Sequence, residues 1–268
     1  MLKDFTLGQY YAAGSVIHRM DPRFKLVEMI AFIVFIFLAS NFYALFLLTA
    51  AVFAVLFASR VPVKMYLRNL KMILPIVIFT ALLNALYVTD GTLLWSFWIF
   101  RISTGGLLRA GFMSLRILLL ILISAALTYT TTPTALTDAI ESLLSPLKWI
   151  GLGEAVHTLA MMMTIALRFI PTLTDETDKI ISAQKARGAD MESGGIFKRL
   201  KALLPILIPL LISSIRRANE LADAMDCRCY SGGKGRTRMK KLRAAGRDYI
   251  AVLILAALLA AIIALRFC

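Results

Sequence analysis

The stretch of this chain closest to a catalytic signature is Ser231-Gly232-Gly233-Lys234-Gly235-Arg236-Thr237. A phosphate-binding loop needs Gly, four residues, then Gly-Lys-Ser/Thr, so that backbone amides ring the phosphates and the hydroxyl meets Mg2+. Here Arg228 stands where the leading Gly belongs, and Gly235 follows Lys234. The stretch reads instead as a basic loop near anionic lipid headgroups, and any ATP chemistry must come from a partner. Two His (His18, His157) and three Cys (Cys227, Cys229, Cys268) show no metal-ligand spacing. Cys227 and Cys229 stand at i and i+2, which point apart on a helix, so they read as small packing residues rather than a redox pair. A lipid-processing site would need an acidic or His-rich cluster, and Asp138 with Glu141 is too sparse for one. No catalytic residue, cofactor site or metal site is expected.

Recognition chemistry is better represented. Two segments, Gln184-Lys185-Ala186-Arg187-Gly188 and Met225-Asp226-Cys227-Arg228-Cys229-Tyr230, each set an Arg between small neighbours where a helix is expected to end. Small neighbours leave the guanidinium uncovered, and its planar fork can pair bidentately with a carboxylate in a partner's groove. A helix dipole also favours a cation at a C-terminus, and for the residues alone the two readings are level. Arg109 and Arg116 share a helical face within an apolar stretch. Arg109 is placed to snorkel to the near interface. Arg116 sits deeper, where charges face protein or water and often mark function. His157, four residues before Met161, reads as a packed histidine. Met161, Met162 and Met163 form either an adaptable apolar surface for a partner or plain packing. Glu28, Asp226 and the i, i+4 pairs Arg216–Glu220 and Asn219–Asp223 read as structural.

The elements that must carry these residues are membrane helices. The 268 residues are 59% hydrophobic and 17% charged, with a mean hydropathy of +0.78. That excludes a disordered chain and a disulfide scaffold. The 30 Lys and Arg against 16 Asp and Glu give +14. In so apolar a chain this excess reflects the bias of cations toward cytoplasmic segments, and no nucleic-acid partner is expected. Residues 1–25 contain Lys3, Asp4, His18, Arg19, Asp21, Arg23 and Lys25 with no apolar core, so no signal peptide is expected.

Residues 29–59 are 31 in number and uncharged. One helix of that length would run about 46 Å against a hydrocarbon core of about 30 Å. The spacing therefore predicts a break at Ser40-Asn41, with spans over residues 26–39 and 42–59. Further spans are expected over 72–89, which contains Pro75, over 107–129, and over 249–265. Trp95 and Trp98 suit an interfacial belt. Residues 1–25 hold four Lys and Arg, 60–71 four, and 130–248 eighteen, whereas the segments on the opposite side hold Arg101 and Arg266. Five spans with the N-terminus inside put every basic segment in the cytoplasm.

Residues 130–248 alternate charged and apolar positions, with two apolar runs of 13 residues, 155–167 and 203–215. Runs of ~10–14 read as buried or interfacial helices rather than full spans. Helices are expected over 134–144, from Gly153 to near Pro171, from Thr172 to Arg187, and from Ile196 to Cys229, the last interrupted or kinked near Pro205 and Pro209. Pro133 is not read as a helix start. The expected fold is thus an all-α integral membrane protein of about five transmembrane helices plus a cytoplasmic segment of long helices, which the resemblance described below would make coupling helices. Its parts are residues 1–130 (helices one to four, cytoplasmic N-terminus), 131–248 (coupling helices) and 249–268 (last span).

On three stretches the chain resembles the transmembrane T component of energy-coupling factor transporters, vitamin and metal importers of the ATP-binding-cassette type. They are Gly8-Gln9-Tyr10 with Ser15, His18, Asp21-Pro22-Arg23, Lys25 and Leu26; Ala186-Arg187-Gly188; and Ala224-Met225-Asp226-Cys227-Arg228-Cys229-Tyr230. The family's second helix-end motif usually reads Ala-Arg-Gly, where this chain has Cys227-Arg228-Cys229. The resemblance implies a plasma-membrane scaffold joining two ATPase subunits to a membrane-embedded substrate-binding subunit. It implies ATPase docking at Ala186, Arg187, Gly188, Cys227, Arg228 and Cys229, with Pro205, Pro209 and the Gly194-Gly195 linker as bending points. The alternatives are a self-contained membrane transporter or channel, for which Arg116 is the one midplane candidate, and a membrane-bound lipid enzyme.

Overall fold

The computed structural model describes residues 10–87, 92–97, 100–151, 153–188, 195–232, 242 and 244–267. These fall into two compact units, one within residues 8–139 and 240–268, the other within 140–239. Gly8, Gln9, Trp98, Gly194 and the loop 233–237 lie outside the described residues, so the readings placed on them stand only as sequence readings.

The first unit is built of α1 (Pro22–Leu38), α2 (Phe42–Ser59), α3 (Val63–Tyr87), α4 (Thr104–Thr130) and, from the chain's end, α8 (Gly246–Phe267). The expected break is present, with Ala39 capping α1 and Asn41 preceding α2. α3 begins nine residues before the expected span and carries Lys64, Arg68 and Lys71 on its first turns. Between α3 and α4 stands an unexpected antiparallel hairpin, β1 (Leu93–Phe97) and β2 (Phe100–Ser103), with Leu93 opposite Ser103 and Phe97 opposite Phe100. Its run of aromatic and branched residues is strand chemistry, and Trp95 lies on β1.

α4 is the central element of this unit. Its buried Leu119, Leu122, Ile123, Ala126 and Tyr129 pack with Phe32, Phe35 and Ile36 of α1, Leu45, Leu48 and Val52 of α2, Tyr66 of α3 and Ile262 of α8. The Tyr66 and Tyr129 rings meet edge to face at 5.3 Å. The outer faces stay apolar, with Phe46, Phe57 and Met72 at 75–83% exposure. Lipid tails are as apolar as these side chains, so helix association here rests on close packing and hydrogen bonds.

The second unit holds the end of α5 (Pro133–Leu143), a 3-10 turn over Ser145–Ile150, α6 (Gly153–Ala186) and α7 (Ile196–Cys227). Two local expectations are corrected here. Pro133 opens α5, consistent with the fixed φ and missing N–H that suit proline to a first helical turn. Pro171 does not separate two helices, because α6 runs through it for 34 residues. Pro205 and Pro209 likewise sit within the single helix α7.

Among the described residues, six helices are long and apolar enough to cross a membrane by length and composition: α2, α3, α4, α6, most of α7, and α8. At 17 residues α1 falls just short of the same length. The chain is a multi-pass, predominantly helical integral membrane protein.

Candidate functional site

Both Arg-bearing helix ends stop in the same way. After α6, the Arg187 amide donates to the carbonyls of Ala183 and Gln184 (3.2 Å each), and the Gly188 amide to Lys185 (3.0 Å). Gly188 then turns left-handed at φ +82°. After α7, the Arg228 amide donates to Met225 (3.1 Å), the Cys229 amide to Asp226 (2.9 Å) and the Tyr230 amide to Met225 (3.0 Å). Cys229 takes the left-handed position at φ +55°. That is the helix-terminating geometry usually supplied by Gly, so replacing Gly by Cys leaves the cap intact. A Cβ on Gly188 would meet nothing within 4 Å, so glycine serves the backbone angle there and not space.

Arg187 and Arg228 are both exposed, as are Ala186, Gly188, Cys227 and Cys229. Among the described residues neither guanidinium has an acidic partner. Each end is therefore a positive side chain raised on a rigid helix, with small residues beside it and the backbone turning away beneath it.

Polar ties hold α6 to α7. The Ser213 hydroxyl donates to Glu176 Oε1. Arg217 donates to Glu176 Oε2 through Nε at 3.1 Å and Nη2 at 2.8 Å. Gln184 Nε2 donates to the Pro205 carbonyl at 3.1 Å. Sequence spacing gave no sign of these ties, since the partners lie 21 to 41 residues apart. The same holds for His157, whose Nδ1 lies 3.3 Å from Glu141 Oε1. This pairing agrees with a packed histidine, and no group of three metal-capable side chains occurs among the described residues. Met162 and Met163 face outward from α6, as do Leu207, Ile208, Leu211 and Ile212 from α7.

The N-terminal motif lies in the first unit and works as a fastening. Asp21 caps α1, its Oδ1 accepting from the Arg23 amide at 3.0 Å, with Pro22 at the first turn. The Asp21 amide donates to Asp248 Oδ1 at 3.2 Å, and Asp248 Oδ2 accepts from the Ala245 amide at 2.7 Å. Lys25 is buried and reaches the Thr130 carbonyl (3.0 Å), the Thr131 hydroxyl (3.4 Å) and the His18 carbonyl (3.4 Å). His18 bridges the Ser15 hydroxyl at 2.7 Å and the Tyr11 carbonyl at 2.6 Å. Three helix ends, those of α1, α4 and α8, are thus joined by residues whose partners lie 105 and 227 positions away.

Arg116 proves to have structural work. Its Nη2 donates to the Ala39 carbonyl at 2.6 Å, and its guanidinium lies 4.8 Å from the Phe112 ring centroid. The carbonyls at the end of α1 are without helical donors, and Arg116 supplies one of them with a donor. Asn41 Nδ2, donating to the Leu265 carbonyl at 3.0 Å, ties the same corner to α8.

Residues 13–239 match the family of cobalt transport proteins (CbiQ). Among curated proteins, the chain is 51% identical over 243 residues to the energy-coupling factor transporter transmembrane protein EcfT of Ruminiclostridium cellulolyticum, covering 91% of this chain and 90% of that protein. It is 47% identical over 268 residues to the EcfT protein of Acidaminococcus fermentans, covering 100% and 98% of the two chains. It is 45% identical over 262 residues to that of Bacillus subtilis, covering 97% and 98%.

Proposed function

Because the chain belongs to the family of energy-coupling factor transporter transmembrane proteins, we propose that it is the membrane scaffold of a vitamin or micronutrient importer. It couples ATP hydrolysis by two cytoplasmic ATPase subunits to movement of a membrane-embedded substrate-binding subunit, and performs no catalysis itself. Residues 1–130 and 249–268 anchor it in the plasma membrane, with the N-terminus inside. Residues 131–248 carry the coupling helices on the cytoplasmic side.

The observation that carries this reading is the pair of matched helix ends. Each presents an exposed Arg followed by a left-handed residue, at the tip of a helix of more than 30 residues. Ala186, Arg187 and Gly188 dock one ATPase, and Cys227, Arg228 and Cys229 dock the other. The helix dipole alone accounts for a cation at either end. It does not account for two ends that share the residue pattern, the cap geometry and the exposure. Closure of the ATPases then moves both tips, and the attached helices carry that motion to the substrate-binding subunit, which holds the specificity. The outward Met162 and Met163 suit a surface that receives such a partner.

Copurification with the ATPase subunits tests this. Arg187→Glu and Arg228→Glu should each weaken ATPase association at least tenfold, and the double variant should abolish it. Equal recovery of ATPases with all variants would reduce both arginines to helix-terminal charges and end the docking assignment.

A further inference from the structure

α6 and α7 pack against one another with their chains running in opposite directions. Two polar ties select one register. Pro209 has no N–H, so the Pro205 carbonyl four residues earlier lacks its helical donor, and Gln184 supplies one. Glu176 accepts from Ser213 with one oxygen and from Arg217 with the other. From Glu176 to Gln184 is eight residues on α6. From Pro205 to Ser213 is eight residues on α7. Both intervals are roughly 12 Å, traversed in opposite directions. Equal intervals at two points fix register and direction together, which a single contact cannot do.

We propose that Glu176 and Gln184 form a register clamp that sets the separation of the Arg187 and Arg228 tips, with Glu176 as its principal positioning residue. This rests on the docking assignment only where it concerns ATPases. In the clamped register Arg187, three residues past Gln184, projects to the level of Ala202 on α7. Arg228 lies 26 residues further along, roughly 39 Å at 1.5 Å per residue. A one-turn slip would change that separation by about 5.4 Å, enough to prevent two rigid tips from seating in two grooves together. Glu176 and Arg217 are 23% and 39% exposed, and ion pairs so placed contribute little to stability. The clamp therefore acts on geometry far more than on folding.

The test uses the full chain with spin labels at Lys185→Cys and Asp226→Cys, in a background of Cys227→Ser, Cys229→Gly and Cys268→Ser. One narrow distance distribution is expected. Glu176→Ala with Gln184→Ala should broaden it, or shift it by a helical turn, with little change in Tm. The exchange Glu176→Arg with Arg217→Glu, in the otherwise intact pair, should keep it narrow. A distribution unmoved by the double alanine change would overturn the clamp. In the native-Cys chain, the double change should weaken binding of the ATPase pair severalfold while leaving each single ATPase unaffected, because only two-site avidity depends on tip spacing. Equal loss for pair and single subunits would overturn the positioning role. If distances respond but wild-type chain binds no ATPase, the clamp stands and the docking assignment falls.

Discussion

Cys229 occupies a left-handed turn, a conformation that costs most L-residues roughly 1–2 kcal/mol and Gly almost nothing. Cys229→Gly should therefore raise stability by about 1 kcal/mol, measured by thermal unfolding in detergent, with ATPase association retained. Gly188→Ala should do the reverse, lowering stability by about 1 kcal/mol through the backbone angle alone, since no neighbour obstructs a methyl group there. Lys25→Met should cost more, about 2–3 kcal/mol, because it leaves the buried Thr130 carbonyl without its charged donor. The helix-end arginines were legible because small-Arg-small is a local pattern. The residues of the N-terminal motif could be picked out, but their purpose could not. Thr130 and Asp248 stand 105 and 227 residues from their partners, and no spacing rule reaches that far.

The break between α1 and α2 was legible from membrane thickness and the distribution of cations, whereas the arginine that bonds to its end was not. Arg116 read as a functional candidate because of its depth in the span, yet its guanidinium is committed to the Ala39 carbonyl. Arg116→Met keeps the apolar bulk and removes the donor. It should lower stability by about 1–3 kcal/mol, the cost of a buried carbonyl left unpaired, without changing ATPase association. Pro171 misled in the opposite direction. An interior proline penalises a helix by ~3 kcal/mol, which in a free segment would end it. α6 nevertheless runs through Pro171 as one helix of 34 residues. The β1–β2 hairpin carried a signal in its aromatic and branched residues, but it was submerged in a chain where nearly every segment is apolar.

Length and composition qualify α6 and α7 as membrane-crossing, and charge argues otherwise. Were both to cross, the connection between them would lie outside, flanked by Lys185, Arg187, Lys198, Arg199 and Lys201, against the cytoplasmic bias of cations. Adding two spans leaves the C-terminus on the same side, so the termini cannot decide the matter. Position 195 can. A Cβ there meets nothing within 4 Å, so Gly195→Cys should be tolerated. In a chain freed of its native cysteines it should react with an impermeant thiol reagent only after the membrane is opened. Thr92→Cys, before the hairpin, should react from outside in intact cells. Labelling of position 195 from outside would place α6 and α7 across the bilayer and remove the coupling helices from the cytoplasm.

The fastening of Asp21 and Lys25 also bears on how the protein is made. The Asp21 amide donates to Asp248, which stands at the start of α8 and 227 residues later in the chain. Until α8 is made, the start of α1 therefore has its Lys25 ties to Thr130 and Thr131 but not its tie to Asp248. The contact that closes the unit is among the most distant in sequence, and such contacts form late because the loop they close is long. Chains truncated before residue 246 should leave residues 10–25 more open to protease than chains that include α8. α8 is in this sense the bolt on α1, and a chain lacking it would present a loosened segment around residue 21 to membrane quality control.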